Sequence, residues 1–297
     1  MSPKVIAIVI IILIITSCAT HQKQHRASTC RYELLVKDIN GVPIEGAEVS
    51  YIIEVGMKEH VRGKIITESD GRAIVQVTLS PLLPLMGVVS SLKYKISKKG
   101  YCTVRGSDII FYNSDKRKSI TLLRPIDFIK PKFLSSQEGI TLKANILRFI
   151  DLIHSQGLLT DVKLKLQSID LVEFKGRRYL QFVFKSKFVY NSLRLDRYDI
   201  GRKIFDNGIR KILFPLSKYV SDWRLFYGYD LKIIAYTRPY PKTNLIVKIP
   251  PPQPIEYRFM IPQSVAQKYK NRDITDQQLL NASIILMDEE RIELKLQ

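Results

Sequence analysis

Apolar and polar positions follow a different pattern in each of four successive segments of this chain. Residues 5–15 form an almost unbroken apolar run after Lys4. Residues 19–28 are polar and have no periodic apolar positions, so they cannot bury enough surface to fold and are predicted to be a tether. From residue 30 short alternating runs are separated by turn residues, which predicts β-strands. From about residue 135 helical spacing also appears, which predicts a second domain of mixed structure.

Residues 30–124 have the pattern of an all-β domain, with a turn signal about every ten residues. Asn40-Gly41 and Asp70-Gly71 supply the positive φ angles that tight turns need. Residues 80–91 contain Pro81 and Pro84 and are expected to form a long loop. The strand-like runs are 32–37, a run ending at 53, 64–67, 72–77, 92–96, 101–105, 109–112 and 119–123.

The turns of this domain carry a characteristic set of residues, Val36-x-Asp38-x-Asn40-Gly41-x-Pro43-Ile44-x-Gly46-Ala47-x-Val49, then Thr67-x-x-Asp70-Gly71-x-Ala73, then Lys99-Gly100-Tyr101. The set resembles the carboxypeptidase regulatory-like domain. The resemblance implies a transthyretin-like or immunoglobulin-like β-sandwich that acts as a spacer or binding module. Asp38, Asn40 and Asp70 have oxygens of the kind that calcium binds. Asp and Asn before Gly are also ordinary turn residues, and we predict no metal here.

Residues 126–297 are predicted to form an α+β domain after a linker that contains Pro125 and Pro131. Ser135 and Glu138 match a capping box at the start of a helix that Gly157 ends. A second helix follows Asp196, and Pro215 should bend or end it. The other elements expected are strands at 162–173, 178–189, 229–236 and 257–261, a helix at 273–280 and a hairpin at 283–296. The predicted fold class is thus an all-β sandwich N-terminal domain followed by an α+β C-terminal domain.

The first segment has the marks of an export signal, and its run is shorter than the roughly 20 apolar residues of a membrane-spanning helix. It ends in Ile15-Thr16-Ser17-Cys18, which resembles the lipobox of bacterial lipoproteins. The resemblance implies a signal peptide over residues 1–17, palmitate and other acyl chains on Cys18, and a tether over residues 18–29. Ala19 in place of Asp implies the outer membrane, with the protein facing the periplasm or the surface. An ordinary signal peptide or an uncleaved anchor are the alternatives.

The net charge of +19, from 47 Lys+Arg and 28 Asp+Glu, indicates association with anionic material. Because the chain carries an export signal, the expected partners are the membrane and an anionic lipid, a glycan or an envelope protein, rather than nucleic acid. Period-two spacing should place lysines together on neighbouring strands. The candidate residues for binding an anionic surface are Lys163, Lys165, Lys185, Lys187 and Lys232. Solvated faces and protected sheet edges are the alternative interpretation of these lysines.

Two cysteines remain if Cys18 is lipidated. Cys30 and Cys102 are an even pair in a compartment that permits disulfides, so they form either a bridge or two separately buried thiols. His21 and His25 lie in the tether without an acidic third ligand. His154 lies near a helix end, where a positive charge is favourable.

No residue pattern indicates catalysis, since the chain has no nucleophile elbow, no His-Glu-x-x-His and no phosphate-binding glycine loop. We therefore predict no catalytic residues, no metal and no cofactor. The expected function is a lipid-anchored envelope protein that binds or presents a partner without catalysis. A structural subunit of an envelope assembly and an envelope hydrolase with its site in the C-terminal domain are the alternatives.

Overall fold

A computed structural model of the chain describes residues 28–79, 89–111, 115–222, 224–240 and 250–296. The chain forms two compact units. Unit 1 contains the chain up to Lys98 together with Val104–Leu122, and unit 2 contains Lys99–Thr103 together with the chain from Leu123 onward. The protein is mostly β, with several sheets.

Unit 1 contains a three-stranded and a four-stranded sheet. The three-stranded sheet has the order β4-β1-β7, with β1 antiparallel to β4 and parallel to β7. The four-stranded sheet has the order β3-β2-β5-β6 and is antiparallel throughout. The strands are β1 (Ser28–Lys37), β2 (Glu48–Val55), β3 (Lys58–Ile66), β4 (Arg72–Leu79), β5 (Ser90–Ser97), β6 (Val104–Ile110) and β7 (Asp115–Thr121).

The turns of unit 1 use the residues that the sequence singled out. Asp38 Oδ1 accepts hydrogen bonds from the backbone N–H groups of Asn40 and Val42, at 2.8 and 2.9 Å. Gly41 and Gly71 have φ angles of 83° and 75°. A Cβ on Gly71 would lie 2.3 Å from a backbone oxygen, so no other residue fits that position without a backbone shift. Asp38, Gly41 and Gly71 are therefore explained by the geometry of the turns in which they lie.

The expectation of separate strands at 101–105 and 109–112 is wrong. A single strand, β6, pairs with β5 from Val104 to Ile110 without interruption. The chain before it is held elsewhere, because the Cys102 backbone N–H donates to the Leu123 carbonyl at 2.7 Å. The expected loop at residues 80–91 lies largely outside the described residues.

Charged side chains point inward at the two edge strands β6 and β7. Asp108 Oδ2 accepts from the Tyr32 hydroxyl at 2.7 Å and from Lys118 Nζ at 2.5 Å, and Lys116 Nζ lies 3.3 Å from Oδ1. Burial alone would raise the pKa of Asp108, but these hydrogen bonds outweigh it and lower the pKa below its usual value. Inward charges on edge strands discourage pairing with the strands of other molecules.

Unit 2 is built on a seven-stranded sheet that helices cover on one face. The order is β14-β13-β12-β11-β10-β8, and β9 also pairs with β10. Only β10 and β11 are parallel to each other. The strands are β8 (Val162–Leu164), β9 (Asp170–Phe174), β10 (Arg177–Asn191), β11 (Gly228–Arg238), β12 (Gln253–Pro262), β13 (Ile284–Met287) and β14 (Glu290–Ile292).

The helices of unit 2 pack their apolar residues against one side of this sheet, in a single buried cluster. Phe149 and Phe182, for example, meet edge to face at 5.4 Å between ring centroids. A 3-10 turn at Pro125–Phe128 precedes them. The helices are α1 (Pro131–Leu134), α2 (Gln137–Ser155), α3 (Arg197–Ile204), α4 (Arg210–Tyr219), α5 (Gln263–Lys270) and α6 (Asp276–Asn281), with a π turn at Phe205–Ile209 between α3 and α4.

The N-cap of α2 is Ser136, one residue later than the capping box at Ser135 predicted. Ser136 Oγ accepts from the Gly139 backbone N–H at 3.0 Å, while Ser135 Oγ donates to the carbonyl of Pro131 in α1. Because α1 occupies Ser135, the cap moves to the next serine. Glu138 instead forms a 2.9 Å ion pair with Arg178.

Pro215 does not end the second helix. It lies inside α4, which continues to Tyr219. A proline in a helix removes one backbone hydrogen bond. Ile212, Leu213 and Leu216 are almost completely buried around it, and this packing holds the helix together.

The expectation of one continuous strand over residues 162–173 is wrong, because the chain turns in the middle of this range. Two short strands, β8 and β9, stand there and pair with different parts of β10. Gln167, with a φ angle of 48°, turns the chain between them. The long strand β10 therefore has two successive partners on one side. The hairpin expected at 283–296 is confirmed, with Asp288 and Glu289 in its turn at positive φ.

His154 is half-buried in the last turn of α2 rather than an exposed cation there. Its ring lies 5.4 Å from that of Phe128. Burial, with a smaller effect of the nearby Lys187 charge, lowers the pKa of His154 to about 4. The imidazole is therefore neutral in the folded protein at neutral pH.

This burial predicts that acid destabilises the protein through His154. The unfolded chain takes up a proton near the ordinary pKa of 6.5, whereas the folded chain does so only near pH 4. The free energy of unfolding should therefore fall by roughly 2–3 kcal/mol between pH 7 and pH 4. Urea titrations at several pH values measure this slope. His154→Leu should flatten it, and an unchanged slope in the variant would contradict the assignment.

Candidate functional site: a basic face of the seven-stranded sheet

The face of the sheet opposite the helices carries a row of basic side chains beside a small buried apolar cluster of Tyr179, Met260 and Leu286. Side chains alternate along β10, where Leu180, Phe182 and Phe184 enter the helix-covered core. Gln181 and Lys185 point to the opposite side, as the period of two requires. The same alternation in β11 and β12 sends Lys232 and Arg258 to that side.

The strand register brings four of the five predicted lysines onto this face. Lys163 lies opposite Lys185, and Lys232 lies opposite Val183 on the neighbouring strand. The Lys165 backbone N–H donates to the Val183 carbonyl at 2.8 Å, which continues the same register. Two arginines of β12 and β14 extend the row, since both lie opposite Leu286. The basic face is defined as Lys163, Lys165, Lys185, Lys232, Arg258 and Arg291.

The prediction that Lys187 belongs to the basic face is wrong, because its ammonium group is bound elsewhere. Its Nζ donates to the carbonyl oxygens of Leu159 and Thr160, the latter at 3.0 Å. Burial lowers its pKa. The loop that follows α2 therefore uses this ammonium group, a contact that strand periodicity cannot show.

Two acidic residues hold two of the cations in place. Asp230 is fully buried and pairs with Arg258 at 2.7 Å, and it also accepts from Gln181 Nε2 at 2.7 Å. The hydrogen bond to Asp230 raises the pKa of Arg258. Lys232 pairs with Glu256 at 2.6 Å. Sequence reasoning missed this network, because its members become neighbours only through the pairing of three strands.

The other four cations of the basic face are accessible to an anionic ligand. Lys163, Lys165 and Arg291 are exposed, and Lys185 is half-buried. Within the described part of the chain no acidic side chain forms an ion pair with any of these four. Lys163, Lys165 and Lys185 lie on one side of the Asp230 network, and Arg291 lies on the other. This arrangement is suited to an extended anionic ligand.

Cations also stack on aromatic rings at the hairpin between β9 and β10. The Arg177 guanidinium lies 4.2 Å from the ring centroid of Tyr227, and Lys175 Nζ lies 5.5 Å from that of Phe174. Arg258 lies 5.8 Å from the same Phe174 ring. Such contacts hold cations in place over apolar surface. The interleaved Phe174-Lys175-Gly176-Arg177 was the sequence signal that could have revealed them.

The other predicted site residues lie apart from this face or outside the described residues. Cys18 belongs to the latter, as do His21 and His25. Cys30 and Cys102 are free and buried rather than bridged. Cys30 Sγ donates to the Phe111 carbonyl at 3.0 Å, and burial raises the pKa of the Cys102 thiol to about 12.

Neither a metal cluster nor a membrane-spanning helix is found in the described ranges. No three His, Cys, Asp or Glu side chains come together there as a metal site requires. None of the helices described is long and apolar enough to cross a membrane.

Comparisons with known proteins add little to this geometry. No family model and no curated protein matches the chain. Among solved structures, 3-chlorocatechol 1,2-dioxygenase from Rhodococcus opacus 1CP is similar over 35% of this chain and 62% of its own, with 15% identity and a TM-score of 0.27. The catechol 1,2-dioxygenase of Acinetobacter radioresistens matches over 35% and 54%, with 16% identity and a TM-score of 0.27. The chain thus spans less than two thirds of these proteins, and so limited a likeness carries no argument about activity.

Proposed function

We propose that this protein is a lipid-anchored, non-catalytic binding protein of the cell envelope. In this proposal acyl chains on Cys18 attach it to the outer membrane, and residues 30–124 form a β-sandwich spacer. Residues 126–297 form an α+β domain that binds an anionic envelope ligand. The two sheets of unit 1 support the spacer, because Tyr32 and Leu34 of one and Val49 and Ile53 of the other are buried.

The basic face is the observation that carries the binding proposal. Cross-strand pairs on a sheet hold Lys163 and Lys185 side by side, and an extended strand repeats its side chains at about 7 Å along each face. This spacing suits a polymer with repeated negative groups better than a single small anion. The ligand class is therefore an anionic glycan or lipid of the envelope, since nucleic acid is not the usual partner of an exported chain.

The binding test compares two double variants of the full chain. Lys163→Gln/Lys165→Gln removes two positive charges from the basic face, and Lys268→Gln/Lys270→Gln removes two from α5. We expect the first to weaken binding to lipopolysaccharide or a polyuronate about 5- to 30-fold, as a loss of one to two kcal/mol implies. The control should bind as the unaltered protein does. Fluorescence titration at low and high salt measures both, because exposed charge attraction weakens with ionic strength.

The two outcomes of this test separate a specific face from general charge. An equal loss in both variants would show that only the net charge of +19 matters. If both variants bind and salt does not weaken that binding, the basic face is not the binding site.

An assembly subunit is the second candidate function, favoured by exposed apolar side chains near the end of β10. Phe188 is 53% exposed and Val189 is 39% exposed. Tyr240 is 36% exposed, and its backbone carbonyl accepts from the Asn191 side chain at the end of β10 at 3.1 Å. Recovery of one stoichiometric envelope protein with the unaltered chain, lost in Phe188→Ser, would favour this candidate over the ligand-binding one.

A further inference from the structure

A second basic surface lies in unit 1, on the outer face of the four-stranded sheet. The register places Arg62 and Lys93 on either side of Ile52, and Lys64 and Lys95 on either side of Ser50. These two neighbouring rows contain no acidic residue. We call Arg62, Lys64, Lys93 and Lys95 the cationic quartet.

The quartet surrounds a shallow depression with an apolar floor. The depression has a volume of about 470 Å³, and Ile52 lies at its centre. Val49 and Ile53 of the inner face are buried completely, so the sheet beneath the depression packs into the core of unit 1. The result is a flat surface with fixed cations rather than a deep pocket.

Acidic residues lie only in the rows beyond the quartet. Glu48 is 3.3 Å from Lys64, Glu54 is 2.6 Å from Lys93, and Glu59 is 2.8 Å from Arg62. The Lys64–Glu48 and Arg62–Glu59 pairs are exposed, and exposed pairs stabilise a protein by at most about 1 kcal/mol. An external phosphate can therefore replace the carboxylates as the partner of these cations.

We propose that the cationic quartet binds the anionic lipid headgroups of the membrane to which the protein is attached. A flat array of cations fits a flat array of lipid phosphates, and each Lys or Arg near an anionic leaflet contributes about 1 kcal/mol. This inference rests on the proposed lipidation of Cys18. Residues 19–27 then reach at most about 30 Å at about 3.5 Å per residue, which keeps unit 1 close to the bilayer.

The test measures lysine protection on the full-length acylated protein in vesicles. One set of vesicles is phosphatidylcholine, and the other contains about one third phosphatidylglycerol. Acetylation of Lys64, Lys93 and Lys95, followed by mass spectrometry, should be about fivefold slower on the anionic vesicles, as about 1 kcal/mol implies. High salt should abolish the difference.

Two charge-matched variants separate this face from the basic face of unit 2. Lys93→Gln/Lys95→Gln should lose the protection of Lys64 and keep binding to polyuronate, which has no lipid headgroup. Lys163→Gln/Lys165→Gln should show the opposite. Equal acetylation on both kinds of vesicle, or loss of Lys64 protection in the second variant, overturns the inference.

The mass of the N-terminal peptide distinguishes the two ways in which this test can fail. An unacylated peptide overturns the lipid anchor, and the inference that rests on it falls too. An acylated chain with equal labelling on both vesicles overturns the role of the quartet and leaves the anchor intact.

Discussion

Asp230→Ala is expected to lower the free energy of unfolding by about 3–5 kcal/mol, because it leaves a largely buried arginine without its partner. Asp230 is fully buried, and the side chain of Arg258 is only 18% exposed. Gln181 also loses the acceptor of its 2.7 Å hydrogen bond. Urea unfolding followed by far-ultraviolet circular dichroism measures the loss.

Glu256→Ala is the matched control, since it breaks an ion pair on the same face of the sheet. The Lys232 and Glu256 side chains are 27% and 28% exposed, so water can solvate the lysine that remains. The expected loss is at most about 1 kcal/mol. If the two variants lose the same stability, burial of Asp230 is not what makes its ion pair important.

A second variant tests whether the ion pair itself stabilises the fold. Asp230→Leu/Arg258→Met removes both charges and fills their space with apolar side chains. Replacing a buried pair in this way is often neutral or stabilising, so most of the loss in Asp230→Ala should be recovered. If the double variant is as unstable as Asp230→Ala, the loss of unfolding free energy comes instead from altered packing or from the unpaired Gln181.

Local patterns predicted those parts of the fold in which neighbours in sequence decide the structure. Alternation in β8 and β10 indicated which lysines share one side of the sheet, and the pairing of Lys163 with Lys185 bears this out for those two. Asn40-Gly41 and Asp288-Glu289 were recognised as turns because turn residues act within a few positions. The helical stripe of α2, with Phe149 and Ile153 buried, is likewise a local pattern.

Features that depend on distant segments were missed. The Asp230–Arg258 pair requires β11 and β12 to meet in one register, and 28 residues separate its members. Lys187 was assigned by alternation alone, although its ammonium group binds carbonyls of a preceding loop. Helix α5 begins directly after Pro262 without a side-chain cap, so no start signal marked it.

The helix containing Pro215 shows why the local rule for proline does not by itself decide where a helix ends. The rule that proline ends a helix describes the loss of one hydrogen bond. It does not include the burial of Leu213 and Leu216, each completely buried in the core. Burying such a side chain contributes about 1.5–3 kcal/mol, so two of them outweigh the cost of about 3 kcal/mol for proline.

Cys18→Ala is expected to abolish acylation of the chain and the removal of its signal peptide. In the proposed mature protein Cys18 carries several acyl chains, and each buried methylene contributes about 0.8 kcal/mol. The variant should therefore keep its signal peptide and fail to incorporate labelled palmitate. Any attachment that remains in high salt then comes from the retained apolar run of residues 5–15 rather than from acyl chains.

Ser17→Ala serves as its matched control, because it leaves a small residue before the cysteine and should be processed and acylated normally. Fractionation in high salt and the mass of the N-terminal peptide report attachment and acylation separately. The charge of +19 makes the salt wash essential, since the basic surfaces alone can hold the chain on an anionic membrane at low salt. A Cys18→Ala chain that is cleaved normally and stays attached in high salt would refute the lipobox interpretation.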